Sequence, residues 1–246
     1  MSRNVLIFGA TSAIAQAIGR VYAAAGASLV LVGRDRVRLE SNAADLRVRG
    51  AVKVVVIAAD LNEFAQHAEL VAHAVGELAS LDVVLIAHGT LPDQQRCEDD
   101  TTELRRAVET NFVSVVTLAT VVAAELERQG RGTLVVFGSV AGDRGKRSNY
   151  AYGAAKAGVA VFVEGLGIRL RSRGVGVLTV KPGFVDTPMT AKFRKGLIWA
   201  TPERVAGSVC RAVEQGRSVI YVPWFWRPIM LLIRVLPSSI FSRMGL

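Results

Sequence analysis

The sequence is poor in the residues that staple or metallate small proteins. Of its 246 residues only Cys97 and Cys210 are cysteine and only three are histidine. This excludes a disulfide scaffold and a Cys-rich zinc site, and no metal centre is expected. Both thiols read as inert, and His67 and His73 read as exposed helix residues. No apolar run reaches the length of about 18 residues at which a membrane-crossing helix is expected. No small-residue cleavage site follows the apolar N-terminal stretch, which therefore reads as a strand and its turn rather than an export signal. Repeats, low-complexity tracts and flexible linkers are likewise missing. Acidic residues are the scarcer charge: 21 Asp and Glu against 30 Lys and Arg leave +9. That balance favours an anionic partner such as a nucleotide phosphate or a lipid head group. Without zinc-finger spacing or a glycine-rich RNA motif, no nucleic-acid partner is expected.

Apolar sequence is abundant, at 51% hydrophobic residues and a mean hydropathy of +0.34. Short apolar runs at 5–8, 28–32, 52–58, 81–87, 133–137, 175–180 and 218–222 read as strands. Helical stretches follow the first run, in GATSAIAQAIGRVYAAAG, and then occupy about 35–48, 64–78, 101–128, 151–172 and 202–215. Strands that are apolar throughout and alternate with helices predict an α/β fold: one doubly wound Rossmann-type domain with a mostly or wholly parallel seven-stranded sheet and helices on both faces. The domain is expected over residues 1–222, with a substrate lid at about 187–201, followed by an apolar and basic tail at 223–246.

Ligands of such sheets bind beyond the carboxyl ends of the strands. The unusual residues fall there, at six strand ends, which implies a long extended ligand. Gly9 opens a tight turn in which Thr11, Ser12, Ala13 and Ile14 lead into a helix N-terminus suited to a pyrophosphate, although Ala13 and Ala15 stand where closer approach would want glycine. Arg34 offers a guanidinium fork to a 2′-phosphate, so NADP(H) is preferred over NAD(H). Asp35 is read as the cap of the next helix and Arg36 and Arg38 as its solvated face. Asp60, followed by Leu61, is placed to meet the adenine amino group or to cap a helix. Ala87, His88 and Gly89 form a cofactor wall, and Pro182, Gly183, Val185 and Thr187 form the opposite one.

Tyr152 and Lys156 lie one helical turn apart on one face, so an ammonium can stand beside a phenol and favour its ionisation. Tyr152 is therefore the expected proton donor and Tyr150 a wall residue. Ser139, 13 positions before Tyr152, is expected to hold a carbonyl oxygen.

Over essentially its first 220 residues the chain resembles the short-chain dehydrogenase/reductase family, in GATSAIA, IAADL, AHG, the asparagine of ETNFVSV, GSVAG, YGAAK and KPGFVDTPM. The resemblance implies a catalytic tetrad of Asn111, Ser139, Tyr152 and Lys156. It also implies that Lys156 holds the nicotinamide ribose and that Asn111 anchors a water in a proton relay. His88 departs from the asparagine of the family pattern.

The lid mixes Lys192, Arg194 and Lys195 with Phe193, Leu197, Ile198 and Trp199, which suits an apolar chain with an anionic group. No acidic residue follows Glu214, whereas Arg217, Arg227, Arg234 and Arg243 do. The tail is expected to lie on an anionic membrane surface with Trp224, Phe225 and Trp226 at head-group depth, or to pack on the core or a second subunit. Together with the runs around Ser139 and Lys181, it is similar to the subgroup containing decaprenylphosphoryl ribose 2-keto reductase, which serves cell-wall biosynthesis. The resemblance implies a cytoplasmic, peripherally membrane-associated ketoreductase acting on a hydrophobic carbonyl or lipid-linked sugar, as a homodimer or homotetramer. The alternatives are a reductase of small soluble or acyl- or steroid-like carbonyls, and a non-catalytic dinucleotide-binding regulator.

Overall fold

A computed structural model describes residues 3–241; Met1, Ser2 and residues 242–246, including Arg243 of the tail, lie outside the described residues. Seven strands form one wholly parallel sheet: β1 Asn4–Phe8, β2 Ser28–Gly33, β3 Lys53–Ala58, β4 Val83–Ile86, β5 Thr133–Phe137, β6 Gly176–Pro182 and β7 Val219–Val222. Their order is β3-β2-β1-β4-β5-β6-β7. The direction of winding reverses between β1 and β4, which opens a cleft at the carboxyl ends there.

The helices are α1 Ala13–Ala24, α2 Arg36–Val48, α3 His67–Leu78, α4 Gln94–Asp99, α5 Thr101–Val108, α6 Ser114–Gln129, α7 Tyr150–Arg171, α8 Pro202–Glu214, α9 Trp226–Val235 and α10 Ser238–Phe241. Alternate strand residues face opposite layers. Ile7, Leu31 and Leu85 pack under α1, α2 and α8, whereas Leu6, Val30 and Val84 pack under α3, α6 and α7. Each such buried side chain contributes roughly 1.5–3 kcal/mol of transfer free energy, so the sheet holds its strand ends rigidly. The two longest helical stretches, 101–129 and 150–171, are apolar enough by composition to cross a membrane, but in the fold each buries one face on the sheet.

Two helical expectations are corrected. The helix read over 101–128 is α5, a π-helical turn at Glu109–Val113, and α6. The interruption coincides with Asn111, whose Nδ2 donates to Ala107 O at 3.0 Å. The short α4, capped by Asp93, escapes hydrophobic periodicity because only Cys97 of its residues is buried. His67 is not an exposed residue: it is buried, with Nε2 2.9 Å from Leu61 O and Nδ1 3.2 Å from Thr117 Oγ1.

The tail folds back toward β5. Trp226 and Met230 cluster with Val140, and Arg144 donates through Nη1 to the carbonyls of Ile233 and Leu236 at 2.5 and 2.6 Å. A guanidinium is well matched to the unpaired carbonyls at the end of a helix. Asp143, next to Arg144, is almost wholly buried between Lys181 Nζ at 2.5 Å and the Tyr221 hydroxyl at 2.8 Å. The three aromatic residues expected at one membrane depth are thereby separated: Trp226 is buried, Phe225 half-buried and Trp224 exposed.

Candidate active site

A cavity of about 660 Å³ runs along the carboxyl ends of the strands. At its nucleotide end Gly9 has φ +77°, and a Cβ there would lie 2.5 Å from His88 N. Only glycine lets this turn close against β4. Ser12 begins α1 without a side-chain cap, so the N–H groups of the first turn, among them those of Ala13 and Ile14, face the cavity with no acceptor inside the helix. These residues fit a pyrophosphate even with alanine at positions 13 and 15.

Asp35 caps α2 by accepting from Arg38 N at 3.0 Å. Asp35 does not line the cavity, and Arg34 and Arg38 are the charged residues that line this end from the β2–α2 connection. Arg38, read from sequence as solvated, turns inward and donates through Nη2 to Thr11 O at 3.2 Å. Its place one turn after the Asp35 cap was the signal that could have found it. Asp60 also lines the cavity, and its Oδ1 accepts from Asn62 N at 3.0 Å, which leaves Oδ2 for a ligand.

At the other end two glycines bring the chemistry together. A Cβ on Gly142 would lie 2.7 Å from Ala157 N, and one on Gly153 would lie 2.8 Å from Ala141 O. Without these side chains the turn after Ser139 packs directly on α7, which places Ser139, Tyr152 and Lys156 around one space. Lys156 is buried; its Nζ donates to Phe137 O at 2.9 Å and stands 5.8 Å from the Tyr152 ring centroid. Burial lowers its pKa to about 8. The same burial pushes the Tyr152 phenol up to about 12, against a smaller lowering by the Ser139 side chain. The expected drift toward phenolate is therefore reversed, because desolvation of the phenolate outweighs a cation that is bonded elsewhere. Tyr150 is exposed and lies outside the cavity wall.

Asn111 is fully buried behind that wall. Its Oδ1 accepts from Thr90 N at 3.0 Å, and its Nδ2 donates to Ala107 O and to Thr90 Oγ1. A Cβ on Gly89 would lie 2.8 Å from Asn111 Oδ1 and 3.6 Å from Lys156 Nζ. Asn111 thus fixes the end of β4 beside Lys156, its carboxamide committed to protein partners.

The hydrogen-bond pattern around His88 assigns its tautomer. The Ser114 hydroxyl spends its one hydrogen on Leu61 O at 2.5 Å, so it accepts at 2.9 Å from His88 Nε2, which must carry the proton. His88 Nδ1 is then a buried lone pair with no partner among the described residues. Burial, then the Lys156 charge, lower the His88 pKa to about 3. The ring is neutral.

Gly9, Thr11, Ser12, Ala13, Ile14, Arg34, Asp60, Leu61, Ala87, His88, Gly89, Pro182, Gly183, Val185 and Thr187 all line the cavity. Val185 also forms a bridge with Ala200 that closes the base of the expected lid. Sequence reasoning missed Trp226, which reaches the cavity from the tail, and Lys146, which reaches it from the loop before α7. Neither carries a local motif, and only the return of the chain places them.

A family model described as short chain dehydrogenase matches residues 3–197. The chain is 41% identical over 240 residues to "Uncharacterized oxidoreductase Rv2073c" of Mycobacterium tuberculosis, covering 98% of this chain and 96% of that one. It is 36% identical over 243 residues, with the same coverage, to an uncharacterized oxidoreductase of Streptomyces coelicolor. Among solved structures, a short-chain dehydrogenase from Sphingobium yanoikuyae in complex with NADPH superposes with a TM-score of 0.82 at 26% identity, covering 96% of this chain and 97% of that one. Levodione reductase shares the fold at a TM-score of 0.80 and 24% identity, covering 89% and 95%.

Proposed function

This chain belongs to the short-chain dehydrogenase family and is an oxidoreductase, and from that premise we propose that it reduces a ketone to a secondary alcohol with NADP(H) in preference to NAD(H). The observation that carries the reading is the convergence of Ser139, Tyr152 and Lys156 on one end of a cavity whose far end holds Arg34 and Arg38. NADPH supplies the hydride when bound. Tyr152, whose phenol keeps its proton far above neutral pH, delivers that proton to the carbonyl oxygen as negative charge develops there. Ser139 donates to the same oxygen and holds it in line with Tyr152. Lys156 stays charged below about pH 8 and fixes the position of the phenol through α7. Asn111 and His88 position the β4 end and move no proton. The place of Asp35 at the helix cap, outside the cavity lining, supports the NADP preference, as does the NADPH held by the Sphingobium protein.

The substrate is a hydrophobic carbonyl compound, a polyprenyl-phosphate-linked keto-sugar among the candidates. Support comes from Val140, Phe184, Met189, Phe193 and Trp226, which give the reacting end an apolar wall. The exposed apolar face of α9, with Arg227 and Arg234 beside it, supports peripheral contact with an anionic membrane. Exposed Val161 and Ile168, seven residues apart on one stripe of α7, support a homo-oligomer. The test is incubation of the purified protein and NADPH with a membrane-lipid extract, followed by mass analysis. A product heavier by two hydrogens, formed by wild type and not by Tyr152→Phe, is expected; NADPH binding without any such product from lipid or soluble ketone panels would overturn the reading.

A further inference from the structure

Taking that reductase reading one step further, we infer that Lys146 is a specificity-determining residue that binds an oxyanion group, carboxylate or phosphate, carried by the ketone substrate. The inference rests on the proposed function only in assigning Lys146 to the substrate half of the cavity.

The charges that face the cavity are few and mostly basic. Its basic lining residues are Arg34 and Arg38 at the nucleotide end and Lys146 and Lys156 at the reacting end. Asp60 is the single carboxylate among the described lining residues, and it belongs to the nucleotide end, where Asn62 already occupies one of its oxygens. The charges near Lys146 in sequence are spoken for: Asp143 is held by Lys181 and Tyr221, and Arg144 by the carbonyls at the end of α9. Lys156 spends a hydrogen bond on Phe137 O. The Lys146 ammonium makes no hydrogen bond or ion pair with any described residue although the residue is only half exposed. A surface lysine without a partner is ordinary because water solvates it. A lysine partly withdrawn into a cavity loses that solvation, and burial does lower its pKa.

A second polar group lines the same space. Asn149, one turn farther along the same loop, also lines the cavity, and its Oδ1 is buried without a partner. Its backbone N–H donates to Lys146 O at 3.2 Å, which holds the two residues as one unit. That oxygen is an acceptor, so it calls for a donor on the substrate, such as a hydroxyl, beside the group that Lys146 binds. Trp226 and Phe193 line the same cavity. The cavity thus offers an unpaired ammonium, an unsatisfied amide oxygen and aromatic surface. The complementary substrate has an apolar body, an oxyanion for Lys146 and a donor for the Asn149 oxygen. The lid lysines do not supply this charge: Lys195 is paired with Asp186 at 2.7 Å, and Lys192 and Arg194 are exposed and outside the cavity lining.

Calorimetric titration of the full chain with octyl phosphate, octanoate and 1-octanol, in the presence and absence of NADP⁺, tests the inference. At least one anion should bind about tenfold or more tightly than the alcohol, the scale of one charge-assisted contact. Lys146→Met and Lys146→Gln should each erase that preference while changing octanol binding less than about twofold, and Lys146→Arg should retain it. A Lys192→Gln/Arg194→Gln variant should keep the preference. The better of the two anions separates a phosphate site from a carboxylate site. Equal affinity for the alcohol and both anions, a preference that survives both neutral variants, or its loss in the lid variant would overturn the assignment. NADP⁺ affinity, read in the same samples, reports folding of each variant. Failure of the wild-type chain to bind NADP⁺ would count against the reductase reading and leave the anion comparison to decide Lys146.

Discussion

The indole nitrogen of Trp226 rests so closely on Gly183 that a Cβ at this glycine would lie 1.9 Å from it. Gly183 lines the reacting end of the cavity and Trp226 comes from the tail helix, so the tail is a wall of the site rather than an appendage. Gly183→Ala should force the indole outward and destabilise the fold by about 1–3 kcal/mol, as overpacking does. Trp226→Phe in the same chain should recover part of that loss, because the smaller ring no longer meets the methyl group. Urea unfolding of both single variants and the double variant gives the coupling. Strict additivity would show that the contact does not carry the strain.

Proton transfer makes a signed prediction. Tyr152 retains its proton up to about pH 12, whereas Lys156, with its pKa lowered to about 8, loses charge above that pH. Ketone reduction should therefore hold level through neutrality and fall as pH rises through about 8, with no lower-pH limb from the phenol. Tyr152→Phe should keep NADPH affinity while losing at least about 100-fold in turnover. Tyr150→Phe, outside the cavity, should behave as wild type. A rate that rises through pH 8 would contradict the charge assigned to Lys156.

These relationships differ in how far they were written in the sequence. The sheet was legible because buried parallel strands are apolar on both faces, and Leu6 and Ile7 serve opposite layers from adjacent positions. The strand ends were legible for the same reason: each change from apolar to small or polar residues marks the edge of the sheet. Tyr152 and Lys156 share a helix, so spacing places them. Trp226 and Lys146 were not legible, since one depends on Arg144 gripping α9 and the other on a loop without periodicity. The direction of the Tyr152 shift was lost too, because a neighbouring charge can be read from spacing and depth of burial cannot.

Acid should destabilise the protein through His88. Its pKa is about 3 in the fold against an ordinary value of 6.5, so below about pH 6.5 the unfolded chain takes up a proton that the folded chain refuses. Stability is then complete above pH 6.5 and declines as pH falls toward 3. Buried His67, whose pKa burial also lowers, adds to the decline. His88→Asn retains an amide donor for Ser114 but cannot titrate. Thermal melts between pH 7 and 4 should show a shallower loss for this variant than for wild type; parallel curves would remove His88 as a source of acid sensitivity.

Cofactor choice should follow the two arginines at the end of β2. Arg34→Ala should weaken NADPH more than NADH by roughly 1–3 kcal/mol, the value of a lost charge-assisted contact. Arg38→Ala should act in the same direction with a further cost to both nucleotides, because Arg38 also ties down the Thr11 carbonyl of the phosphate turn. Paired fluorescence titrations with both nucleotides check this. Equal weakening of NADPH and NADH by Arg34→Ala would remove the 2′-phosphate contact.

Membrane contact can now be tested without damaging the cavity. Trp224, Leu231 and Val235 are 73%, 65% and 70% exposed; Leu231 and Val235 lie one turn apart on α9, and Trp224 lies in the turn that precedes it. Arg227 and Arg234 lie exposed on the same helix, with no acidic residue in it. Such a face can bury its apolar stripe at head-group depth while each arginine near an anionic leaflet contributes about 1 kcal/mol. Trp226 cannot share in this insertion, because it is packed against Gly183 and Val140. Full-length protein should co-sediment with anionic vesicles more than with neutral ones and should partly resist a high-salt wash, since apolar burial survives when charge is screened. Trp224→Ala/Leu231→Ala should lose most of that binding yet keep its NADPH affinity and circular dichroism. Trp226→Phe should bind vesicles as wild type does. If the double variant, folded and nucleotide-bound, still sediments like wild type, these apolar residues are not the membrane contact.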